Sequence, residues 1–290
     1  MPRQTSLLIG LAFISPWLFG FAVFMLYPMV ASIYFSFCDY SVLQSALFIG
    51  LENYIELFGD KVFRVSLGNT LFYAFFALGL GLVVSIGEAL LLNMKVKGMA
   101  FHRTIIFLPS LVPVVALSVL WMWIFNGESG LLNAILEGVG LPAPNWLGSE
   151  DWAMPALILM SLWGIGHPVV IYLAGLQDIP RELYEAAEID GAGSWDRFWN
   201  VTLPMLTPVV YFNVVMGIIG TFQVFAQPYI MTQGGPGRAT YFYALALYDY
   251  AFMDLRMGYA SAMAWILFII ILGLTLLATR VSQKWVQYDR

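Results

Sequence analysis

The chain has 290 residues, of which 60% are hydrophobic and only 11% are charged. An ordinary soluble domain carries roughly 25% charged residues, so this composition excludes one or two soluble domains and indicates a polytopic membrane protein. The net charge of -5 lacks the basic surplus that binding to nucleic-acid phosphates requires. One cysteine, Cys38, excludes an intrachain disulfide, and with only two histidines no metal site is expected.

Six stretches are long and apolar enough to cross a membrane, which takes about 20 residues each. The predicted fold class is therefore an all-α polytopic membrane protein with six spans, at residues 7–37, 67–92, 104–125, 152–176, 206–231 and 258–279. The first stretch is much longer than the ~7–15 apolar residues of a signal peptide and is interpreted as a retained span. No repeat or soluble domain is visible, so residues 1–290 are interpreted as a single transmembrane domain.

Lys and Arg are unequally distributed between the two sides that six spans define. The N-terminus, the second-to-third and fourth-to-fifth connections and the C-terminus carry nine of the 13, including Arg3, Lys284 and Arg290. The other connections carry four, and residues 126–151 carry none. The positive-inside rule predicts that both termini are cytoplasmic, in a multi-pass protein of the inner (plasma) membrane surrounded by lipid.

The connection between the fourth and fifth spans, residues 177–205, is far longer than the ~2–8 residues of an ordinary connection. Pro180 and Gly191 predict the start and the end of a helix over residues 181–189. Ser194 is expected to cap a second short helix over residues 195–201. Pro204 and Pro208 are expected to break the chain before the fifth span, so two short helices at a sharp angle are predicted.

The first helix of this connection is acidic, because Glu182, Glu185, Glu188 and Asp190 outnumber Arg181. Helices that lie on a lipid surface are usually rich in Lys and Arg. A docked protein partner is therefore favoured over a helix lying on lipid. The chain has no GxxxxGK[ST] pattern, so it is not expected to bind ATP by that route.

The same connection resembles the EAA loop of binding-protein-dependent ABC importer permeases, through Glu185-Ala186-Ala187, Asp190-Gly191-Ala192 and Leu203-Pro204. Other segments resemble the maltose and glycerol-3-phosphate type of sugar permease: Tyr27-Pro28, Gly50-Leu51-Glu52-Asn53-Tyr54, Leu108-Pro109, Gly234-Gly235-Pro236-Gly237 and Met257-Gly258-Tyr259-Ala260. The resemblance implies a non-catalytic membrane subunit that binds no cofactor and translocates a sugar or sugar derivative. It also implies three partners: a second homologous permease in a heterodimer, an ABC ATPase dimer that holds ATP-Mg and docks on the loop, and an extracytoplasmic solute-binding protein.

Polar and aromatic residues inside the spans are the candidates for contact with the solute. Asn213, Gln223 and Gln227 are expected on one face of the fifth span, and amides suit a neutral polyhydroxylated ligand, although interhelical hydrogen bonding explains them equally well. Pro168 is expected to break the fourth span beside His167, which would free backbone carbonyls near the membrane centre. The candidate pathway residues are Trp163, Gly166, His167, Asn213, Phe222, Gln223, Gln227 and Tyr259.

Two other classes of function remain as alternatives. A secondary transporter driven by an ion gradient is expected to show intramembrane acids and paired inverted halves, whereas the spans contain only Glu88 and no repeat. For Glu88 a structural role is favoured over a role in transport. A membrane-embedded enzyme would need a catalytic constellation, and the sequence offers no catalytic residue. Among solutes, a sugar, a polyol and a glycerol phosphodiester all remain open.

Overall fold

The computed structural model describes residues 3–283, 285 and 286, and this part of the chain is mostly helical. Lys284 and Arg290, two of the cations behind the predicted orientation, lie outside the described residues. Helices assigned by length and composition do not give an orientation, so the cytoplasmic placement of both termini stays a prediction. The helices are α1 Arg3–Phe21, α2 Tyr27–Ser36, α3 Glu52–Gly59, α4 Lys61–Leu92, α5 Met99–Phe107, α6 Val114–Ile124, α7 Leu131–Gly138, α8 Glu150–Trp163, α9 Gly166–Asp178, α10 Arg181–Ile189, α11 Ser194–Arg197, α12 Leu203–Phe222, α13 Ala226–Met231, α14 Tyr243–Tyr248 and α15 Met257–Ser282. The strands β1 Cys38–Asp39 and β2 Leu47–Phe48 pair antiparallel.

All six predicted apolar stretches are mainly helical. Among the described residues, four helical stretches are long and apolar enough to cross a membrane: Ile9–Ser36, Lys61–Leu92, Ser194–Met231 and Met257–Ser282. Two bent pairs pass the same test, namely Met99–Leu111 with Val114–Ile124 and Glu150–Trp163 with Gly166–Asp178. The structure therefore supports four to six spans.

Prolines and glycines explain the two bends. The predicted third span bends by 100°, because Pro113 forces Val112 into extended backbone after the short 3₁₀ turn Leu108–Leu111. The fourth bends by 46°, and its break lies at Gly164, where α8 ends. Pro168 falls within the first turn of α9, where a missing N–H is tolerated. The predicted break is thus present, but it precedes Pro168.

The connection before the fifth span corrects the prediction of two short helices. The first helix is present at its predicted bounds, but the second does not end. A π-helical turn, Phe198–Thr202, joins α11 to α12, so Pro204 and Pro208 lie inside continuous helix. The π turn is wider than an α-helical turn, and it leaves room for Pro204, which has no N–H to donate to the preceding turn. Gly193, rather than Ser194, takes the cap position of α11.

The chain divides into two compact units, Met1–Lys61 with Leu247–Phe268 and Val62–Ala246 with Ile269–Arg290. The prediction of one transmembrane domain over all 290 residues stays a prediction. In the first unit, Asn53 donates hydrogen bonds to the carbonyls of Ser36 (3.0 Å) and Cys38 (2.9 Å). A side chain at Gly258 would meet the Cys38 carbonyl. Asn53 and Gly258 belong to two of the segments that resemble the sugar permeases, and both contact the backbone around Cys38.

The second unit contains two buried apolar clusters that position its helices. One surrounds Tyr73, Leu157 and Phe242, and the other joins Val169 with Leu206. The first cluster holds α4 against α8, and the second holds α9 against α12. Packing of this kind places the hydroxyl and amide side chains of α4, α8, α9 and α12 around a shared interior.

Candidate functional site

The second unit contains a cavity of about 270 Å³ between α4, α8, α9 and α12. Its polar lining consists of five hydroxyl side chains and one amide: Tyr73, Ser85, Ser161, Tyr172, Thr221 and Asn213. No Lys, Arg, Asp or Glu belongs to the lining. The remaining lining is apolar or glycine. A cavity with uncharged hydrogen-bonding groups and apolar walls suits a neutral ligand that carries hydroxyl groups.

Tyr172 carries an unsatisfied polar group in this lining. The residue is 1% exposed, and its hydroxyl has no hydrogen-bond partner within the described part of the chain. A buried polar group without a partner costs about 1–3 kcal/mol. The Asn213 amide nitrogen donates to the Val209 carbonyl (3.0 Å), and this bond does not use the amide oxygen. The cavity therefore offers an amide acceptor to a ligand, and the Tyr172 hydroxyl, whose oxygen is closed to solvent here, becomes a further partner once a helix shift uncovers it.

A second cavity, of about 240 Å³, lies where the two bent spans meet. Pro109, Ser110 and Val112 line it from the first bend, and Gly164 lines it from the second. Tyr73 and Ser161 line both cavities. Irregular backbone at membrane depth is tolerated where it lines a cavity or is buried in protein. The bends of the third and fourth spans thus contribute to the same interior as the first cavity.

The structure brings two of the predicted pathway residues to these cavities, Asn213 to the first and Gln227 to the second. Their expected common helical face is wrong, because α12 ends at Phe222 and a non-helical segment precedes α13. Gln223 is exposed at that helix end, and Phe222 is buried. A solute contact by any of these residues stays a prediction.

The other predicted pathway residues lie near the bends or in the first unit. Trp163 packs edge to face against Trp121, with ring centroids 5.9 Å apart. Gly166 is buried, and a Cβ there would lie 2.9 Å from the Ser110 hydroxyl, so α9 approaches the first bend closely. His167 is exposed, with its ring 5.3 Å from that of Phe107.

Tyr259 lies in the first unit, where it is 2% exposed and donates a hydrogen bond to Asp60 (3.0 Å). Tyr250 donates to the same carboxylate (2.6 Å), and burial, together with Asp60, raises the pKa of the Tyr250 phenol. Arg256 pairs with Glu56 at 2.6 Å, which raises the pKa of the guanidinium. Tyr259 therefore belongs to a polar network, and its predicted pathway role stays a prediction.

Sequence reasoning missed the hydroxyl residues that line the first cavity. A signal was present in α4, where Tyr73, Ala77, Gly81 and Ser85 recur at every fourth position and therefore share one helix face. All four residues line the cavity. Small and hydroxyl side chains at this spacing in an apolar span mark the face that turns away from lipid.

The coupling segment, residues 181–204, contains every residue predicted to contact an ATPase: Glu185, Ala186, Ala187, Asp190, Gly191, Ala192, Leu203 and Pro204. Gly191 has φ +79°, and its N–H donates to the Glu188 carbonyl (3.0 Å). Ala192 donates to the Ala187 carbonyl (2.9 Å). These two bonds form a Schellman motif, which ends α10 and requires a left-handed residue at Gly191.

Two side-chain contacts hold α10 to the helix that continues into α12. The hydroxyls of Tyr184 and Thr202 are hydrogen-bonded at 3.0 Å, and Arg197 forms an ion pair with Glu188. Glu185 and Ala186 are exposed, and Ile189 is 87% exposed. The segment therefore presents a rigid, solvent-facing helix with both acidic and apolar side chains, while Leu203 and Pro204 lie partly buried where α12 begins.

Comparisons with known proteins agree with this arrangement. Residues 77–287 match the family described as binding-protein-dependent transport system inner membrane component. The chain is 41% identical over 287 residues to the probable ABC transporter permease protein YesP of Bacillus subtilis, covering 97% of this chain and 93% of the relative. It is 34% identical over 275 residues to the arabinooligosaccharides transport system permease protein AraP of the same organism, covering 93% and 87%.

A solved structure shares the fold. A chain of a bacterial ABC transporter involved in the import of the acidic polysaccharide alginate superimposes with a TM-score of 0.86 at 23% identity, covering 98% of both chains. The family match decides against the alternatives of a secondary transporter and a membrane-embedded enzyme. The chain belongs to the family of binding-protein-dependent transport system inner membrane components, the permease subunits of ABC transporters.

Proposed function

We propose that this permease passes a sugar or sugar derivative across the membrane through the interior formed by α4, α8, α9 and α12. The class of solute is inferred from the uncharged lining of this cavity. Within the described residues, the buried Tyr172 hydroxyl of that lining has no protein partner. Hydroxyl and amide groups exchange hydrogen bonds with sugar hydroxyls, and the aromatic face of Tyr73 or Tyr172 packs on sugar C–H groups. The name of the arabinooligosaccharide relative supports the same class.

In this proposal the protein crosses the membrane six times and keeps both termini in the cytoplasm. The two bent helix pairs then each count as one span. An extracytoplasmic binding protein delivers the solute, as the family description indicates. A second homologous permease completes the pathway, and an ATPase dimer that binds ATP-Mg powers it. This chain itself binds no cofactor and catalyses no reaction.

The continuous helix from Ser194 to Phe222 supplies the mechanical connection. An ATPase that docks on the exposed side of α10 moves the coupling segment as one piece, because Tyr184 and Glu188 tie α10 to the start of that helix. The same helix carries Asn213 and Thr221 in the cavity lining. Movement of α10 is therefore transmitted to a wall of the cavity, which alternately opens and closes the path.

The test replaces Tyr172 by Phe, which removes only the unpartnered hydroxyl. Without solute, Tyr172→Phe is expected to leave the thermal stability of the purified protein unchanged or higher, because no protein hydrogen bond is lost. If a sugar hydroxyl bonds to Tyr172, the KM for ATP-dependent uptake into proteoliposomes rises about fivefold to tenfold, as expected for a bond of about 1–1.5 kcal/mol.

The matched control is Tyr211→Phe, since the Tyr211 hydroxyl shares a hydrogen bond with Thr279 (2.8 Å) and does not line the cavity. This control should lower thermal stability by about 1 kcal/mol and leave the KM unchanged. An unaltered KM in Tyr172→Phe, measured with the sugar that the binding protein delivers, would contradict the proposed solute contact.

A further inference from the structure

A third cavity, of about 850 Å³, opens where the end of α4 meets α10 and α11. Two cations, Lys95 and Arg197, line it together with the polar side chains of Asn93, Ser194, Thr202 and Tyr184. Leu90, Met94, Trp195 and Phe198 supply the apolar part of the lining. The cavity is therefore both basic and apolar, unlike the uncharged cavity between the spans.

The charge of this cavity favours an anion. No Asp or Glu belongs to its lining. Arg197 pairs with the exposed Glu188, and its second terminal nitrogen donates to the Ser194 hydroxyl at 3.4 Å. Lys95 is exposed and forms no ion pair within the described residues. A phosphate group between the two cations would gain charge-assisted hydrogen bonds from both.

The position of the cavity indicates a membrane lipid as the source of that phosphate. Lys95 lies three residues beyond Leu92, where the candidate span α4 ends. Trp195 is 70% exposed and Trp199 is 50% exposed, and Trp side chains concentrate at the level of lipid headgroups. A free phosphate ion would leave Met94, which is 55% exposed, uncovered, whereas a phospholipid brings acyl chains to it.

We propose that this cavity binds an anionic phospholipid, with the headgroup phosphate between Lys95 and Arg197 and the upper acyl chains against the apolar lining. Glu188 of α10 offsets part of the charge of Arg197, but Glu188 is not part of the lining, and Lys95 supplies the cationic charge that is not already paired. A lipid in this place braces the coupling segment against the end of α4. Basic pockets between spans at the cytoplasmic face are suited to anionic headgroups.

The test measures lipid binding to the full chain, purified in detergent with the subunits that accompany it. Native mass spectrometry counts bound lipid during titration with phosphatidylglycerol, with phosphatidylcholine and with phosphatidylglycerol in the presence of inorganic phosphate. Lys95→Gln should weaken the tightest phosphatidylglycerol site about fivefold, the effect expected of one cation at an anionic surface. Lys97→Gln removes an exposed lysine that does not line the cavity and should leave that site unchanged.

Three results would overturn the proposal: equal affinity of Lys95→Gln and the wild-type protein for phosphatidylglycerol, equal binding of phosphatidylcholine, or an equal loss in Lys97→Gln. Displacement of the lipid by millimolar inorganic phosphate would assign the site to a free anion instead. Arg197→Lys is a second variant that keeps the charge, and it should retain most of the binding that Lys95→Gln loses. None of these readouts requires transport, so this proposal and the proposed function can fail separately.

Discussion

The coupling segment and the larger of the two inter-span cavities are held together by contacts of different range. In the coupling segment, the backbone bonds that end α10 join residues at most five apart, and the Tyr184–Thr202 bond joins residues 18 apart. The cavity instead brings Tyr73 to Tyr172 and Thr221, which lie on three separate helices. One region is shaped by its local sequence, and the other exists only when distant helices pack.

This difference suits two mechanical roles. A segment with local contacts keeps its shape while it moves, so force applied to α10 reaches α12 with little loss. A cavity walled by several spans changes its volume whenever one of them shifts. The comparison therefore predicts that substitutions in the coupling segment uncouple ATP hydrolysis from transport, whereas substitutions in the cavity alter solute passage and leave ATPase docking intact.

The largest effect is expected from Gly191→Pro, which disrupts the end of α10. Proline fixes φ near -65°, whereas Gly191 has φ +79°, and it also removes the N–H that bonds to Glu188. A local cost of about 3 kcal/mol or more would lower the fraction of α10 in its docking conformation by about 100-fold. Loss of co-purifying ATPase and of solute-stimulated ATP hydrolysis measures this change.

Gly191→Asn is the matched control, because Asn tolerates the left-handed conformation better than other side chains and keeps the N–H. It should retain ATPase association within about fivefold of the wild-type protein. If Gly191→Pro also retained association at that level, the Schellman motif at the end of α10 would not determine docking. The local contacts of the coupling segment would then not be what positions it against the ATPase.

The next effect concerns the cavity and uses Gly81→Leu. A Cβ at Gly81 meets no other atom within 4 Å, so the added side chain starts from open space at the cavity wall. Leucine also has a better helix propensity than glycine by about 1 kcal/mol, so the stability of the protein should not fall. Solute uptake into proteoliposomes should decrease about tenfold or more, because a side chain of this size fills much of a small cavity.

Gly79→Leu provides the control for this substitution. Gly79 lies on the same helix and also has open space at its Cβ, but it does not line either cavity. Uptake by Gly79→Leu should equal that of the wild-type protein, and both variants should keep their ATPase subunits. Equal inhibition by the two substitutions would mean that α4 has another role and that the cavity is not the path.

The same contrast of contact range explains what the sequence could predict. The bounds of α10 followed from Pro180 and Gly191, two residues whose effect on the backbone is local. The apolar stretches followed from length and hydropathy, but hydropathy carries no direction, so the 100° bend at Pro113 was missed. The helix end at Phe222 was missed as well, because residues 223–227, which follow it, contain no proline or glycine.

The cavity could not be predicted in the same way. The α4 stripe of Tyr73, Ala77, Gly81 and Ser85 is visible in the sequence, but its partners on α9 and α12 are set by packing. The free hydroxyl of Tyr172 is a property of its neighbours, since a single acceptor nearby would satisfy it. A residue such as Tyr172, whose proposed role depends on having no hydrogen-bond partner, can be identified only from the packed structure.

The smallest effect is expected at the connection between α10 and α12. Tyr184→Phe and Thr202→Val each remove the partly buried hydrogen bond that joins them, at a cost of about 0.5–1.5 kcal/mol. The Glu188–Arg197 ion pair remains, so ATPase docking should persist while the number of solute molecules transported per ATP falls about twofold to fivefold. Thr202→Val also removes the bond from the Thr202 hydroxyl to the Arg197 carbonyl (3.3 Å), so the double variant should be no worse than Thr202→Val alone. Additive losses would show that the two hydroxyls act separately, and that α10 transmits its motion to α12 through the ion pair or the backbone instead.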